Sequence, residues 1–483
     1  MTNASDPNPR RLPIKLDSTS NGEFAPVPLD AAARHACTLA TSAVDEATRR
    51  LAEPRRRYLV SLLGAAATLG AFNRAFAAAG RRGGSFLLPS EAPFELAAAQ
   101  EAIAGDEFIF DVQLHHVNPQ GAWRKKAGPD ALKGMPNSRC GEADHVECFS
   151  SGALLKDVFL DSDTAMGVLS HVPGGRDTNP LDFEAAGATR DTAHALDGTQ
   201  RLLLHGRCMP TLPGELEGMD EQAARYKPAA FKTYTQFGPP QGPAGFFLDD
   251  DRHGTPFIER ARKLGVHNIA VHKGLAFGAR GYEFSIARDV GPAAKRHPDM
   301  SFLVYHAGFD TGVKEGPYDA NARAGVDVLI RSVQEAGKPG NVYAELGSTW
   351  RFVMRDPEQA AHLLGKLLKA FGDDHVLWGT DSIWYGSPQD QIQAFRAFQI
   401  SPEFQEKYGY PALTPAVKRK VFGLNAARVY GLKPDAMRGK LAKDKVQKRK
   451  SEYLNDPRPS FATYGPRTRG EFLALRRLQG GLP

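Results

Sequence analysis

Six short apolar runs each close on a side chain able to bind a metal ion or move a proton. In order they are FIFDVQLHH, AAFKTY, NIAVHKG, FLVYHAG, NVYAELG and HVLWGTDS. His272 and His306 end their runs directly, and Asp381 follows Trp378-Gly379-Thr380. Lys232 and Glu345 occupy the matching places in their own runs. Imidazoles with a carboxylate suit Zn²⁺, with Mn²⁺ or another first-row ion as the variant. Such an ion brings the pKa of its water from about 15.7 to about 7, which makes hydroxide available at neutral pH.

Successive strand side chains point to opposite faces. Asp111, Gln113 and His115 therefore share a phase, and His116 points the other way. Gln113 and His115 can therefore aim together into the barrel mouth, and Asp381 could ligate a metal ion and shuttle the proton. His306 would polarise a carbonyl or hold an oxyanion, and Lys232 would supply charge for a substrate carboxylate. Glu345 is a second acid or a hydrogen-bond acceptor. His116, His171 and His205 also lie near strand ends but rank as structural. Tyr234 and Trp384 read as packing or pocket walls.

Each run is short and rich in branched or aromatic residues, as a strand buried on both faces requires. Strands are expected at Phe108–Leu114, Met166–Ser170, Arg201–His205, Ala229–Tyr234, Asn268–His272, Phe302–His306, Val342–Leu346 and His375–Asp381. Helical patterns between them, such as Val326–Ala336 and Pro357–Phe371, imply parallel strands with covering helices. Eight such units make an α/β protein of the (β/α)₈ TIM-barrel type, whose active sites form at the carboxyl ends of the strands. Gln389–Phe398 is the last barrel helix, and Ala416–Tyr430 packs across an end.

The barrel is assigned to residues 107–432, preceded by a linker at 80–106 and followed by a basic C-terminal tail at 433–483 that wraps the surface or is partly disordered. Residues 1–28, rich in Pro, Asn and Ser, read as disordered. Residues 29–53 form a helix, and Arg55-Arg56-Arg57-Tyr58-Leu59 with the apolar stretch to Ala79 resembles a twin-arginine export signal. The expectation is export to the periplasm. The alternative is a cytoplasmic protein that keeps residues 29–79 as an uncut helical hairpin. Asn73 and Arg74 interrupt the apolar run, so no stable membrane anchor is expected.

The 483 residues carry a net charge of +6, with the basic excess mostly at the two ends. No nucleic-acid motif accompanies it, so the partner expected is a small-molecule substrate, with a homo-oligomer allowed. Four cysteines, Cys37, Cys140, Cys148 and Cys208, are too few for a disulfide scaffold, and Cys140 with Cys148 either pair or stay as thiols.

At these residues the chain resembles the amidohydrolase superfamily, in the branch that holds aminocarboxymuconate-semialdehyde decarboxylase. The resemblance runs from about Glu107 to Leu432. Its carriers are Val271-His272-Lys273-Gly274, Tyr305-His306-Ala307-Gly308, Trp378-Gly379-Thr380-Asp381-Ser382 and Phe422-Gly423-Leu424-Asn425-Ala426-Ala427-Arg428. It implies a metal-ligand set of Gln113, His115, His272 and Asp381, with His306 a catalytic histidine and Asp381 the acid/base as well. The family's first strand reads Asp-X-His-X-His, and here Gln113 replaces the first histidine. An amide oxygen is a poorer Zn²⁺ ligand than imidazole. The implied activity is metal-dependent hydrolysis of a small carboxylated or cyclic substrate. Decarboxylase or lactonase chemistry is the alternative, and a degenerate ligand-binding barrel the rival from another class.

Overall fold

A computed structural model of the chain describes residues 12–16, 20, 25–26, 28–128, 143–175, 178–459, 466 and 468–478. Ten strands are named in chain order: β1 (Gly84–Phe86), β2 (Phe110–Leu114), β3 (Met166–Leu169), β4 (Leu202–Arg207), β5 (Ala230–Tyr234), β6 (Asn268–His272), β7 (Ser301–Tyr305), β8 (Val342–Glu345), β9 (Val376–Leu377) and β10 (Phe398–Ile400). Strands β2 to β9 pair in sequence order, every pair parallel, with helices between them. Val112 N–H bonds Trp378 O at 3.1 Å and Asp381 N–H bonds Gln113 O at 3.0 Å, which joins the last strand to the first. The molecule is the expected (β/α)₈ barrel.

The apolar runs became strands because burial on both faces rewards them, and all five residues of β5 are buried. The register sets Tyr234 beside His272 and His272 beside Tyr305, so the strand ends finish level. The last strand is shorter than its seven-residue apolar run. Only Val376 and Leu377 stay in the ladder, and the chain then turns through Gly379 to Asp381, whose φ is +60°. The closing Gly423 lies against the first strand, where an added Cβ would sit 1.8 Å from the Phe108 carbonyl oxygen. Gly423→Ala is expected to cost at least about 1–3 kcal/mol, as overpacking does, read as a lowered urea midpoint.

The front end packs on the barrel. Helix α1 (Ala31–Leu51), capped by Asp30, buries Ala33, Ala36, Ala40, Val44 and Ala47. That spacing of three and four residues makes one small-residue face for α3 (Leu62–Ala78), reached through the short α2 (Arg55–Leu59). Asn73, which breaks the apolar run in the sequence, accepts from Phe86 N–H and donates to Phe86 O. It thereby ties α3 to β1, which pairs antiparallel with β10 after the barrel. The arginine cluster and the apolar stretch thus form a packed helical hairpin. Among the described residues no helix is long and apolar enough to cross a membrane.

Residues 1–28 read as disordered, but Leu12, Ile14 and Leu16 are buried in the main core. The tail holds three helices, Pro434–Leu441, Lys445–Tyr453 and Arg469–Leu478. Met437 and Leu441 join Phe108, Val112 and Leu303 in the barrel core. Asp444 caps the second of these helices and pairs with the buried Arg201. Cys37 and Cys208 are in no disulfide and Cys148 is disulfide-bonded, while Cys140 lies outside the described residues.

Candidate active site

Backbone strain marks the mouth of the barrel. Among the described residues nine that are not glycine have positive φ, and five of them, Leu275, His306, Ala307, Ser348 and Asp381, follow strand ends. Each left-handed residue of this kind costs on the order of 1–3 kcal/mol and persists where surrounding contacts enforce it.

Asp111 supplies one such contact. Its carboxylate accepts from Gln113 N–H at 3.0 Å, Thr380 N–H at 3.1 Å and the Thr380 hydroxyl, stapling β2 to the turn that carries Asp381. Glu345 supplies the second, accepting from Gly347 N–H at 2.7 Å and His306 N–H at 3.0 Å. It therefore holds two backbone turns, where the sequence offered a second acid or a hydrogen-bond acceptor. Gly379 makes room for it, since a Cβ there would lie 1.6 Å from Glu345 Oε1.

Gln113, His115 and Asp381 converge. Asp381 Oδ1 lies 3.1 Å from His115 Nε2 and 3.0 Å from Gln113 Nε2, and the two nitrogens are 3.3 Å apart. Asp381 Oδ2 accepts from Ser348 Oγ–H, and Ser348 Oγ is 2.8 Å from the Tyr385 hydroxyl. The structure also brings His272 to His306, and they make a second pair, with His272 Nδ1 3.1 Å from His306 Nε2. Lys232 Nζ sits 3.3 Å from the Tyr305 ring centroid, under β5 and β7. Its charge and that of His306, on top of burial, hold His272 well below the usual imidazole range. Every one of these side chains is fully buried.

Ring partners fix the lone pairs. A carbonyl oxygen only accepts, so a ring nitrogen facing one carries the proton. His115 Nδ1 faces Ser170 O at 2.7 Å, His306 Nδ1 faces Gly347 O at 2.7 Å, and His272 Nε2 faces Leu275 O at 3.2 Å. His115 Nε2 is thus left pointing at a carboxylate, and His272 Nδ1 at His306 Nε2. Acceptors aimed at each other across 3.1 Å need a proton or a cation between them. Donors about 2.0–2.1 Å from a tetrahedral ion stand about 3.3 Å apart, close to the spacing of Gln113, His115 and Asp381. Among the described residues no group of three or more His, Cys, Asp or Glu is gathered for a metal. The third donor here is an amide. Gln113 Oε1 is buried without a hydrogen-bond partner among the described residues, and a half-turn of the amide presents it to the other two. These residues fit a divalent ion.

The other strand-end histidines have structural work. His116 faces away and bonds Thr189 Oγ1 at 3.0 Å, His171 bonds Leu181 O, and His205 bonds Tyr430 OH at 2.8 Å. Trp384 stacks on His115 with ring centroids 5.9 Å apart, and Phe277 on His272 at 4.7 Å. Tyr234 lies 5.0 Å from His272 and 5.8 Å from Phe277, ring centroid to ring centroid, so the three rings pack on one another. Ser348 and Tyr385 were not legible as site residues, since neither ends an apolar run. A cavity of about 880 Å³ lies to one side, between Trp123, Phe183, Arg207 and Tyr226, away from these groups.

Two buried carboxyls give the fold a pH signature. Burial pushes Glu345 up to about 7, opposed by His306, and Asp111 up to about 8, opposed by its bonds to Thr380 and Gln113. A carboxyl raised on folding binds more protons in the native state, so stability falls as pH rises between its unfolded and folded values. The buried histidines with lowered values act oppositely, and only below about 6.5. Between pH 6.5 and 8 the chelator-treated protein is expected to lose thermal stability, and Glu345→Gln to flatten that loss.

The amidohydrolase family model matches residues 153–432. No curated protein matches the chain. Among solved structures, 5-carboxyvanillate decarboxylase from Sphingomonas paucimobilis is similar at 14% identity and TM-score 0.41, over 68% of this chain and 100% of that one. A zinc-bound amidohydrolase from Burkholderia multivorans is similar at 16% and 0.40, over 68% and 100%. An uncharacterised TIM-barrel protein from Bordetella bronchiseptica is similar at 13% and 0.40, over 68% and 99%. With the family model spanning more than half of the 483 residues, this barrel enzyme belongs to the amidohydrolase family.

Proposed function

We propose that this enzyme is a metal-dependent hydrolase of small carboxylated or cyclic substrates, with Gln113, His115 and Asp381 holding a divalent ion and His272 beside them. The observation that carries the reading is the 3.1 Å approach of the His115 lone pair to the Asp381 carboxylate. With a proton between them the pair is a buried ion pair, and His115 then holds Asp381 below the usual carboxylate value against the push of burial. When bound, a divalent ion supplies Lewis-acid polarisation and acidifies water to a pKa of about 7. Zn²⁺ suits the donors best, and Mn²⁺ is the alternative.

The chain's own residues do the rest. Asp381 takes and returns the proton, with its Oδ2 steadied by Ser348. His306 is aimed by Glu345 and Gly347, so its Nε2 meets a reacting oxygen in one orientation. Lys232 orients a substrate carboxylate. The walls of Trp384, Phe277 and Tyr234 exclude bulk water. That dryness favours a second reading, removal of a carboxylate as CO₂, which needs no water nucleophile.

Elemental analysis of the purified protein tests the proposal, with about one equivalent of divalent metal expected, and metal-free protein that turns over a substrate fully would reject it. Gln113→His is expected to tighten metal binding at least about tenfold, since even outer partners of a site shift affinity about 10–100-fold. Competition with a chromogenic chelator measures it.

A further inference from the structure

The mouth of the barrel is covered by both ends of the chain. Lys15 is only 6% exposed. Its Nζ donates to Tyr385 O at 2.8 Å and Ser387 O at 3.0 Å, and lies 3.7 Å from Asp390. Its backbone N–H donates to Asp390 Oδ2 at 3.1 Å, and Arg351 donates to its carbonyl. On either side Leu12, Ile14 and Leu16 are buried. A buried ammonium is costly unless fully partnered, so this is a built dock and not a chance drape. From the other end, Ser20 N–H bonds Pro466 O at 2.7 Å, and Arg476 of the helix Arg469–Leu478 lies 5.0 Å over the Phe277 ring. Phe472 and Leu475 of that helix are buried.

These contacts fall on the layer immediately outside the site. Phe277 stacks on His272, and Tyr385 reaches Asp381 through Ser348. His115, His272, His306 and Asp381 have no solvent exposure with the two ends in place. A substrate has no route to them unless something outside that layer moves. The Leu12–Leu16 strap belongs to no sheet or helix, and among the described residues Lys15 and the buried Leu12, Ile14 and Leu16 anchor it.

We infer that Leu12–Leu16 and the helix Arg469–Leu478 form a two-part lid, latched by Lys15, that holds the enzyme closed against substrate. Opening requires the strap to leave, which exposes the carbonyls of Tyr385 and Ser387 and the carboxylate of Asp390 to water. The helix, which rests on the mouth through Arg476 over Phe277 and through the buried Phe472 and Leu475, then moves aside. A closed state of this kind lowers apparent substrate affinity by the fraction of molecules that are open.

The inference rests on the site described above and is tested without reference to metal or turnover. A protease site is placed between Ser20 and Asp30 of the full chain carrying Lys15→Glu, so the strap is cut and ejected after folding. Diethylpyrocarbonate modification of His306, which lies outside the proposed ligand set, is then followed by mass spectrometry. The expected result is that His306 reacts at least about tenfold faster once the strap is gone, the step expected when a roughly 10% open population becomes the dominant one. His205, deep in the barrel against Tyr430, should stay protected. An unchanged His306 rate after confirmed loss of the strap peptide would overturn the lid. So would a parallel rise at His205, which reports loosening of the whole barrel.

Discussion

Asp381→Asn is expected to purify with less than about a tenth of the parent's divalent metal and to lose about 10²–10⁴ in kcat/KM, the range of a lost acid–base group. Asparagine is the informative replacement. It has nearly the same shape, tolerates the +60° φ at this position, and keeps an acceptor for Ser348. Alanine would add about 1–2 kcal/mol of left-handed backbone cost, and confuse loss of chemistry with loss of fold. What asparagine removes is the charge that faces His115 and the second lone-pair-rich oxygen. If the ion pair were only structural, Asp381→Asn would weaken the fold and leave metal content unchanged. If the carboxylate is a ligand, metal falls while the unfolding midpoint of the chelator-treated protein holds. Elemental analysis beside a thermal melt separates the two, and full metal occupancy in the variant would reject the ligand assignment.

Much of this site was legible in the chain because burial and chemistry coincide at strand ends. Tyr305-His306 and Val271-His272 each follow an uninterrupted apolar run, and an apolar run that stops on a histidine has little other reason to do so. The phase rule separated His115 from His116, and the structure sends His116 to Thr189. The limits of that reading are equally physical. Ser348 acts because a left-handed φ of +54° turns it towards Asp381, and single-residue conformation leaves no periodic trace. Glu345 was legible as buried, but its partners are backbone N–H groups, which have no sequence signature. The last strand was read too long because Trp378-Gly379-Thr380 continues the apolar character after the ladder has ended. The Leu12–Leu16 strap escaped because three alternating apolar residues are diluted by the Pro, Asn and Ser around them. Composition averaged over a long stretch reports the average and misses a five-residue anchor.

Lys232 separates a catalytic barrel from one that merely binds. Its ammonium is fully buried in β5, 3.3 Å from the Tyr305 ring centroid and 4.8 Å from that of Tyr234. Ring faces stabilise a cation, by about 2 kcal/mol or more where it is desolvated, and its charge also reaches the Glu345 carboxyl. On the proposed reading the same charge meets a substrate carboxylate. Lys232→Met keeps the length and the apolar stem while removing the charge. We expect the variant to fold at least as stably, since a buried charge disappears. Loss in kcat/KM should reach about 10²–10³, the scale of losing one preorganised electrostatic contact in a dry site. The electrostatic signature is independent of turnover. Lys232 lowers the protonation of both His272 and His205 by its charge, second to burial at His205 and behind burial and His306 at His272. Both imidazoles should therefore titrate at higher pH in Lys232→Met, followed by NMR of the ring protons. A variant that shifts neither histidine would show that the ammonium does not reach the site, and one that shifts both yet turns over carboxylated substrates normally would remove Lys232 from substrate binding.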